Sequence, residues 1–282
     1  MHDDRTFARL ESLFDVGALK NARVLLAGCG SGGSQVALQL AMSGVRNFTL
    51  FDHDTLEIEN VIRHACGRQY LGQRKVDALA AALLDRNPAL HITRHDVDLM
   101  KCEDLADHIE ASDVVVLATD NDATRYRLNQ LCVRIGRPFV VGKVFTRGIG
   151  GEVFSFIPGV TGCLACLEAA LGRTKYREGV REIDLVSEEE REKLYGMEVS
   201  EIKDSPGLNI DIGFITCFHT RFVLDAIARG LPERPKFLPP IEKNYIVWGN
   251  RPIAPFTKHF ELQRIGLQPQ EGCLVCGTAK QN

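Results

Sequence analysis

Residues Arg23 to Gly44 read RVLLAGCGSGGSQVALQLAMSG: a short apolar run, a cluster of glycines, then a helix-compatible run closed by another glycine. An apolar run that breaks into glycines and restarts with helical character is a strand, a tight turn and a helix. Such a unit is stable only inside a larger α/β sheet, and the following residues supply one. Asn47 to Asp52 reads as a second strand, Lys75 to Asp85 as a helix stopped by Asn87-Pro88, His91 to His95 as a strand and Cys102 to Glu110 as a helix. Asp113 to Ala118 is the continuous apolar run expected of a strand covered on both faces. Arg125 to Ile135 reads as helix and Pro138 to Gly142 as strand. This alternation predicts a Rossmann-like, doubly wound α/β sheet, mostly parallel, over residues 23–145.

The pattern then changes. Gly148 to Pro158 alternates like an antiparallel strand. Between Arg173 and Ser205, 17 of 33 residues are charged, and Ser187 with Glu190 fits a capping box. An exposed crossing loop and a solvated helix are equal readings of that segment. Asp211 to Arg229 returns to an apolar helix, with Phe214, Ile215, Phe218, Phe222 and Ile227 expected toward the core. Tyr245 to Trp248 and Thr257 to Leu262 read as strands. The expected organisation is an N-terminal helical segment (1–22), a doubly wound half (23–145) and a second half (146–282) whose antiparallel strands extend one continuous sheet.

Composition narrows the class. The chain has 282 residues, 34 Lys plus Arg against 37 Asp plus Glu, and 45% apolar residues, which excludes low-complexity disorder and collagen-like structure. No block of like charge offers a general nucleic-acid footprint, and no run of 18 apolar residues offers a membrane span. The N-terminus, MHDDRTFARLE, lacks the charged-then-apolar order of a signal peptide, and nine cysteines make an odd count that suits a reducing compartment. The expectation is a cytoplasmic protein without membrane or nucleic-acid partners.

Gly28-Cys29-Gly30-Ser31-Gly32-Gly33 satisfies G-x-G-x-x-G, where bare backbone lets phosphate approach the amides at a helix start. The alternative is a glycine turn that serves only close strand–helix packing. Asp52, 22 residues beyond Gly30 at the end of the next strand, is placed to accept hydrogen bonds from ribose hydroxyls. These features alone would favour a nicotinamide-dependent dehydrogenase. Asp54, Asn60, Arg63, Lys75, Asp120 and Asn121 follow, all at or after the carboxyl ends of strands, where ligands of such sheets bind. Arg63 and Lys75 can oppose phosphate charge and Asp120 can hold Mg²⁺, a set that suits a nucleotide triphosphate better than a dinucleotide. No G-x-x-x-x-G-K-[ST] occurs, so this is not a P-loop ATPase.

The ordered set resembles the ThiF/MoeB/HesA superfamily of ubiquitin-activating-enzyme-like adenylyltransferases. Its G-x-G-x-x-G turn, D-x-D strand end, S-N-L-x-R-Q stretch, G-x-x-K helix start and T-D-N strand end stand here as Gly28 to Gly33, Asp52 to Asp54, Glu59 to His64, Gly72 to Lys75 and Thr119 to Asn121. Glu59 stands for the usual Ser and His64 for the usual Gln, departures that bear on substrate choice more than on the charges. The resemblance implies ATP-dependent adenylation of the C-terminal glycine carboxylate of a ubiquitin-like or sulfur-carrier protein, with release of pyrophosphate. Arg63, Lys75 and an Asp120-bound Mg²⁺ would act on the reacting phosphates, and Gly28, Gly30, Gly33, Asp52, Asp54, Asn60 and Asn121 would hold the nucleotide. It also implies a homodimer, a downstream thiol carrier such as a conjugating enzyme or a sulfurtransferase, and an arginine acting in trans, for which Arg5 and Arg9 are the candidates. Small-molecule, peptide or modified-tRNA carboxylates are alternative substrates, and a non-catalytic interaction subunit is the alternative of a different class.

Cys163-x-x-Cys166 and Cys273-x-x-Cys276 are two knuckles that together offer the four thiolates of a structural Zn²⁺ site. The alternative is a redox-active dithiol, whose strand-to-helix context is missing. Relatives that form a covalent intermediate use a cysteine in the crossing segment, and residues 167–216 contain none. Cys29, Cys132 and Cys217 read as core residues and Cys66 as lying in an exposed stretch. The expected enzyme therefore stops at the acyl adenylate.

Overall fold

The computed structural model describes residues 6–11, 13–145, 148–172, 207–253 and 256–277. Its strands β1 (Arg23–Ala27), β2 (Asn47–Phe51), β3 (His91–His95), β4 (Val114–Leu117), β5 (Phe139–Val144), β6 (Gly150–Phe156), β7 (Tyr245–Gly249) and β8 (Glu261–Ile265) form one sheet in the order β3-β2-β1-β4-β5-β6-β7-β8. β1 to β5 pair in parallel, whereas β5–β6, β6–β7 and β7–β8 are antiparallel. The winding direction reverses between β1 and β4, and ligands of doubly wound sheets bind at that crevice. The glycine turn leaves β1 and Asp120 follows β4, so both stand at the reversal.

Helices cover both faces. α2 (Ser31–Ala41), α4 (Lys75–Arg86) and the 22-residue α8 (Asn209–Gly230) lie on one side. α5 (Leu105–Ala111), α6 (Asp122–Ile135) and α7 (Leu164–Ala170) lie on the other. The sheet residues alternate accordingly: Val24 and Leu26 of β1 join the first core, Leu25 and Ala27 the second. This two-sided burial is why β1 and β4 read as unbroken apolar runs. No described helix is long and apolar enough to cross a membrane.

Several expectations need correction. The final strand runs Glu261–Ile265 rather than Thr257 to Leu262, and α5 starts at Leu105 rather than Cys102. The described residues of the N-terminal segment include a four-residue helix, α1 (Ala8–Glu11), and a 3₁₀ turn at Val16–Leu19. Phe214 is 41% exposed instead of core-facing, although its ring meets Phe218 and Trp248 edge-on. Cys217 is exposed and Cys66 is buried, the reverse of the reading from sequence, while Cys29 and Cys132 are buried as expected. The charged segment with Ser187 and Glu190, and Arg5, lie outside the described residues.

α8 also carries a buried histidine that makes the fold sensitive to acid. His219 is 3% exposed, its Nε2 lies 3.1 Å from the Val140 carbonyl, and burial pushes its pKa from 6.5 down to about 4. The folded state binds this proton less readily than the unfolded state. Its contribution is therefore complete above pH 6.5 and is lost as the pH falls toward 4. From pH 7 to pH 5 the protein is expected to lose about 2 kcal/mol from this group, measurable by urea unfolding, and His219→Gln should flatten that part of the profile. An unchanged slope in the variant would assign the acid sensitivity elsewhere.

Candidate nucleotide edge and cysteine cluster

The four glycines of the turn divide into two pairs. Gly28 has φ +98°, and a Cβ there would lie 2.8 Å from the Ala118 carbonyl oxygen. A Cβ on Gly33 would collide with the Gly28 carbonyl. These two let α2 approach β1 and β4, the packing role weighed above. Gly30 and Gly32 do not share it: a Cβ on either meets nothing within 4 Å. Their bare side faces open space at the start of α2, whose first amides lack intrahelical acceptors and favour an anion. Gly33→Ala should therefore cost several kcal/mol of stability, about 3 or more, by urea unfolding. Gly30 has extended backbone that alanine adopts readily. Gly30→Ala should keep the unfolding midpoint and weaken nucleotide binding about tenfold, read by calorimetry.

Asp52 closes the turn from β2. Its Oδ2 accepts the Cys29 amide at 2.7 Å and its Oδ1 accepts the Asp54 amide at 2.9 Å, leaving further lone pairs on both oxygens. Burial pushes its pKa up, against those two amides and the charge of Lys75. Lys75, the first residue of α4, sends its Nζ to Asp54 Oδ2 at 2.7 Å. Burial alone would raise the Asp54 pKa, but the bond and charge from Lys75, with His53 and Arg74, hold it below the usual carboxylate range.

Arg63 follows α3 (Ile58–Val61), its Nη1 donating to the Glu59 carbonyl at 2.8 Å. The segment is tied to α2, with Gln35 donating to the Arg63 carbonyl at 3.0 Å and Ser34 Oγ accepting the Ala65 amide at 3.1 Å. Asn60 closes a capping box by accepting the Glu57 amide at 3.0 Å, and Asn121 caps α6 by accepting the Thr124 amide at 3.1 Å. In both, the side-chain oxygen is committed and the NH₂ group remains as a donor. Asp120 is exposed at the β4–α6 junction. A lone exposed carboxylate suits Mg²⁺ when substrate phosphates complete the shell. The structure thus joins Gly28 to Gly33, Asp52, Asp54 and Lys75 in one network, attaches Asn60 and Arg63 through α2, and places Asp120 and Asn121 across the switch point. Arg9 is exposed on α1.

Two features escaped the reading of the sequence. His64 is buried, with its ring between the glycine turn and Cys66. Lys143, at the carboxyl end of β5, sits among Asp122 (3.7 Å), Glu152 (3.9 Å) and Glu168 (3.9 Å), with Arg125 on Asp122 at 2.6 Å and Tyr245 donating to Glu152 at 2.7 Å. This cluster links the first residue of α6 to α7, next to the cysteines. A lysine ending an apolar strand was its one visible signal.

The four knuckle cysteines converge, their sulfurs all within 4.8 Å of one another. Cys163 and Cys273 sulfurs are 3.8 Å apart and Cys166 and Cys276 sulfurs 3.4 Å, too far for disulfides of about 2.05 Å. A tetrahedral Zn²⁺ with bonds of about 2.3 Å sets sulfurs about 3.8 Å apart. The Gln270 amide points at Cys166 Sγ at 3.4 Å, and Asn129 Oδ1 holds the Leu164 amide at 3.0 Å, fixing the start of α7 beside Cys163. Four soft donors with such support can hold zinc and suit no common hard cation.

A doubly wound sheet with a glycine turn at its switch point and a cysteine cluster beyond defines a Rossmann-type α/β protein. Residues 7–237 match the profile of the ThiF family, and the chain belongs to that family. It is similar to the adenylyltransferase and sulfurtransferase MOCS3 of Drosophila grimshawi, 36% identical over 153 residues, which are 53% of this chain and 33% of that protein. It is also similar to ubiquitin-like modifier-activating enzyme 5 of Dictyostelium discoideum, 29% identical over 202 residues, 63% of this chain and 53% of that one. The chain spans about a third to a half of the length of these relatives. Among solved structures, E. coli MccB with MccA-N7isoASN shares the fold at a TM-score of 0.68 and 22% identity, covering 93% of this chain and 69% of MccB.

Proposed function

We propose that this chain is an ATP-dependent adenylyltransferase that activates the C-terminal glycine carboxylate of a ubiquitin-like or sulfur-carrier protein. The observation that carries the reading is the division of the glycine turn: Gly30 and Gly32 leave open space for phosphate at the same edge as Asp52, Lys75, Arg63 and Asp120. A carboxylate oxygen attacks the α-phosphorus of ATP, the bond to the bridging oxygen of the β-phosphate breaks, and pyrophosphate leaves. The carboxylate is already ionised at pH 7, so no general base is needed. The difficulty is bringing one anion to another. Lys75 and Arg63 offset the charge on the phosphates as it redistributes, the Gly30 turn admits them, and Asp52 orients the ribose. Asn60 and Asn121 offer neutral donors. Mg²⁺ bound through Asp120 and the phosphates would neutralise charge on the leaving group. Zinc on Cys163, Cys166, Cys273 and Cys276 would tie the C-terminal tail to α7.

The test is ATP–pyrophosphate exchange with Gly-Gly-ended proteins from the same genome. Exchange dependent on one of them is expected, and none with any, from folded protein that binds ATP, would overturn the substrate assignment. A peptide carboxylate is the second reading, favoured because the fold neighbour MccB is known in complex with N-formylated MccA. Exchange driven by short peptides and not by carrier proteins would select it. The proposed enzyme acts as a homodimer and passes the adenylate to a separate thiol carrier. Cys66 is buried, with its pKa pushed up to about 12 by burial, so it is a poor nucleophile. Exposed Cys217 is the residue to watch. The expected result is no DTT-sensitive adduct with the acceptor, and an adduct lost in Cys217→Ser would replace this step with a thioester on α8.

A further inference from the structure

Cys29 is held at both of its backbone polar groups, one in each of the peptides that flank it. The Cys29 amide donates to Asp52 Oδ2 at 2.7 Å, and the Cys29 carbonyl oxygen lies 2.7 Å from Nε2 of His64. The other ring nitrogen, Nδ1, faces the Cys66 amide at 3.0 Å. A backbone N–H can only donate, so Nδ1 is the acceptor and carries no proton. The ring is therefore the neutral tautomer with its proton on Nε2, given to the Cys29 carbonyl. Burial of the ring, with Lys75 and Arg63 nearby, holds it neutral by lowering its pKa.

In a planar trans peptide, the carbonyl oxygen and the next N–H point in opposite directions. His64 draws the Cys29 oxygen inward, so the Gly30 N–H points away from the ring, and a Cβ on Gly30 would meet nothing within 4 Å. Among the described residues that N–H has no backbone acceptor. We infer that His64 is a positioning residue that holds the Gly30 amide outward as a donor to the nucleotide's phosphate. It does so through Cys29 and touches no ligand itself. The inference rests on the nucleotide reading above and deepens it. It also accounts for what can stand at this position: a glutamine amide offers the same pair, an N–H for the Cys29 carbonyl and an oxygen for the Cys66 amide, whereas an apolar side chain offers neither.

The experiment measures ATP affinity by calorimetry at pH 7.5, with the thermal midpoint, for the full chain and for His64→Gln and His64→Leu. His64→Gln should bind within about threefold of the original, and His64→Leu about tenfold or more weakly. Because the leucine variant is also expected to lose stability, a second measurement follows the Gly30 amide of the unmodified chain by NMR, where ATP should shift it strongly. ¹⁵N spectra should show His64 protonated on Nε2 alone. A folded His64→Leu that binds ATP as the original does, a glutamine variant no better than leucine, or a Gly30 amide indifferent to bound ATP would each overturn the assignment. Absence of ATP binding by the original chain would overturn both this and the nucleotide reading. ATP binding without exchange against any carboxylate would remove the adenylation reading and leave His64 in place.

Discussion

Lys75→Ala is expected to lower kcat/KM for pyrophosphate exchange by about 10²–10³-fold while leaving the fold intact. The size follows from where the lysine stands. It opens α4 at the carboxyl edge, its side chain is only 12% exposed, and among the described residues Asp54 is its one ion-pair partner. A cation so placed and mostly shielded from water stabilises developing phosphate charge more than a solvated one could. The competing role, merely neutralising Asp54, is separable. Asp54 is 53% exposed on its side chain, and an ion pair with so exposed a partner contributes little to stability. Asp54→Asn should thus retain most activity, since it frees the lysine instead of removing it. Equal losses in Lys75→Ala and Asp54→Asn would show that the pair, not the ammonium alone, is what the reaction needs.

The largest effect on stability is expected at the cysteine cluster. Purified protein should carry one zinc per chain by elemental mass spectrometry, and Cys276→Ser should lose it together with more than about 4 kcal/mol of stability. At about 2–4 °C per kcal/mol for a chain of this size, the thermal midpoint falls by roughly 10 °C or more. The reason is topological. Cys163 and Cys166 flank the start of α7, while Cys273 and Cys276 follow the last strand, so one ion closes a loop of more than 100 residues. None of the described residues beyond Leu267 is fully buried, and Leu274 is 102% exposed, so little apolar burial would hold the tail otherwise. A strong chelator should reproduce the variant's midpoint and DTT should leave the original unchanged. Full stability after demonstrated zinc removal would make the cluster incidental to the fold.

The two sites differed in how much of them was visible before the fold. The turn, Asp52, Lys75 and the T-D-N end of β4 were legible because local chain geometry places them: each follows a strand whose apolar pattern fixes where it ends, and parallel strands end at one edge. The cysteine knuckles were legible as pairs because two thiols three residues apart share a turn. Whether residues 110 positions apart meet was not legible, and the converging sulfurs answer it.

Burial was legible on strands and poorly legible on loops and long helices. β1 and β4 announce two-sided burial by their composition. α8 is rich in apolar residues around its circumference, so its pattern does not choose a buried side. The sheet and α2 take Ile215, Phe222 and Val223, and leave Phe214 and Cys217 facing out. Cys66 follows charged Arg63 and precedes a polar stretch, yet it is buried with its amide on the His64 ring, because tethers from Ser34 and Gln35 draw that segment onto α2.

By itself, then, the order of residues determined the doubly wound half, the edge where its parallel strands end and the chemical character of the residues on that edge, since these depend on periodicity and on neighbours a few positions apart. Only the tertiary structure decided which glycines face open space and which face protein, that His64 grips the Cys29 carbonyl, and that Lys143 gathers three carboxylates from β6, α6 and α7. Each of these is a contact between segments distant in the chain. Its energy depends on distance and burial, which no local pattern encodes until packing brings the partners together.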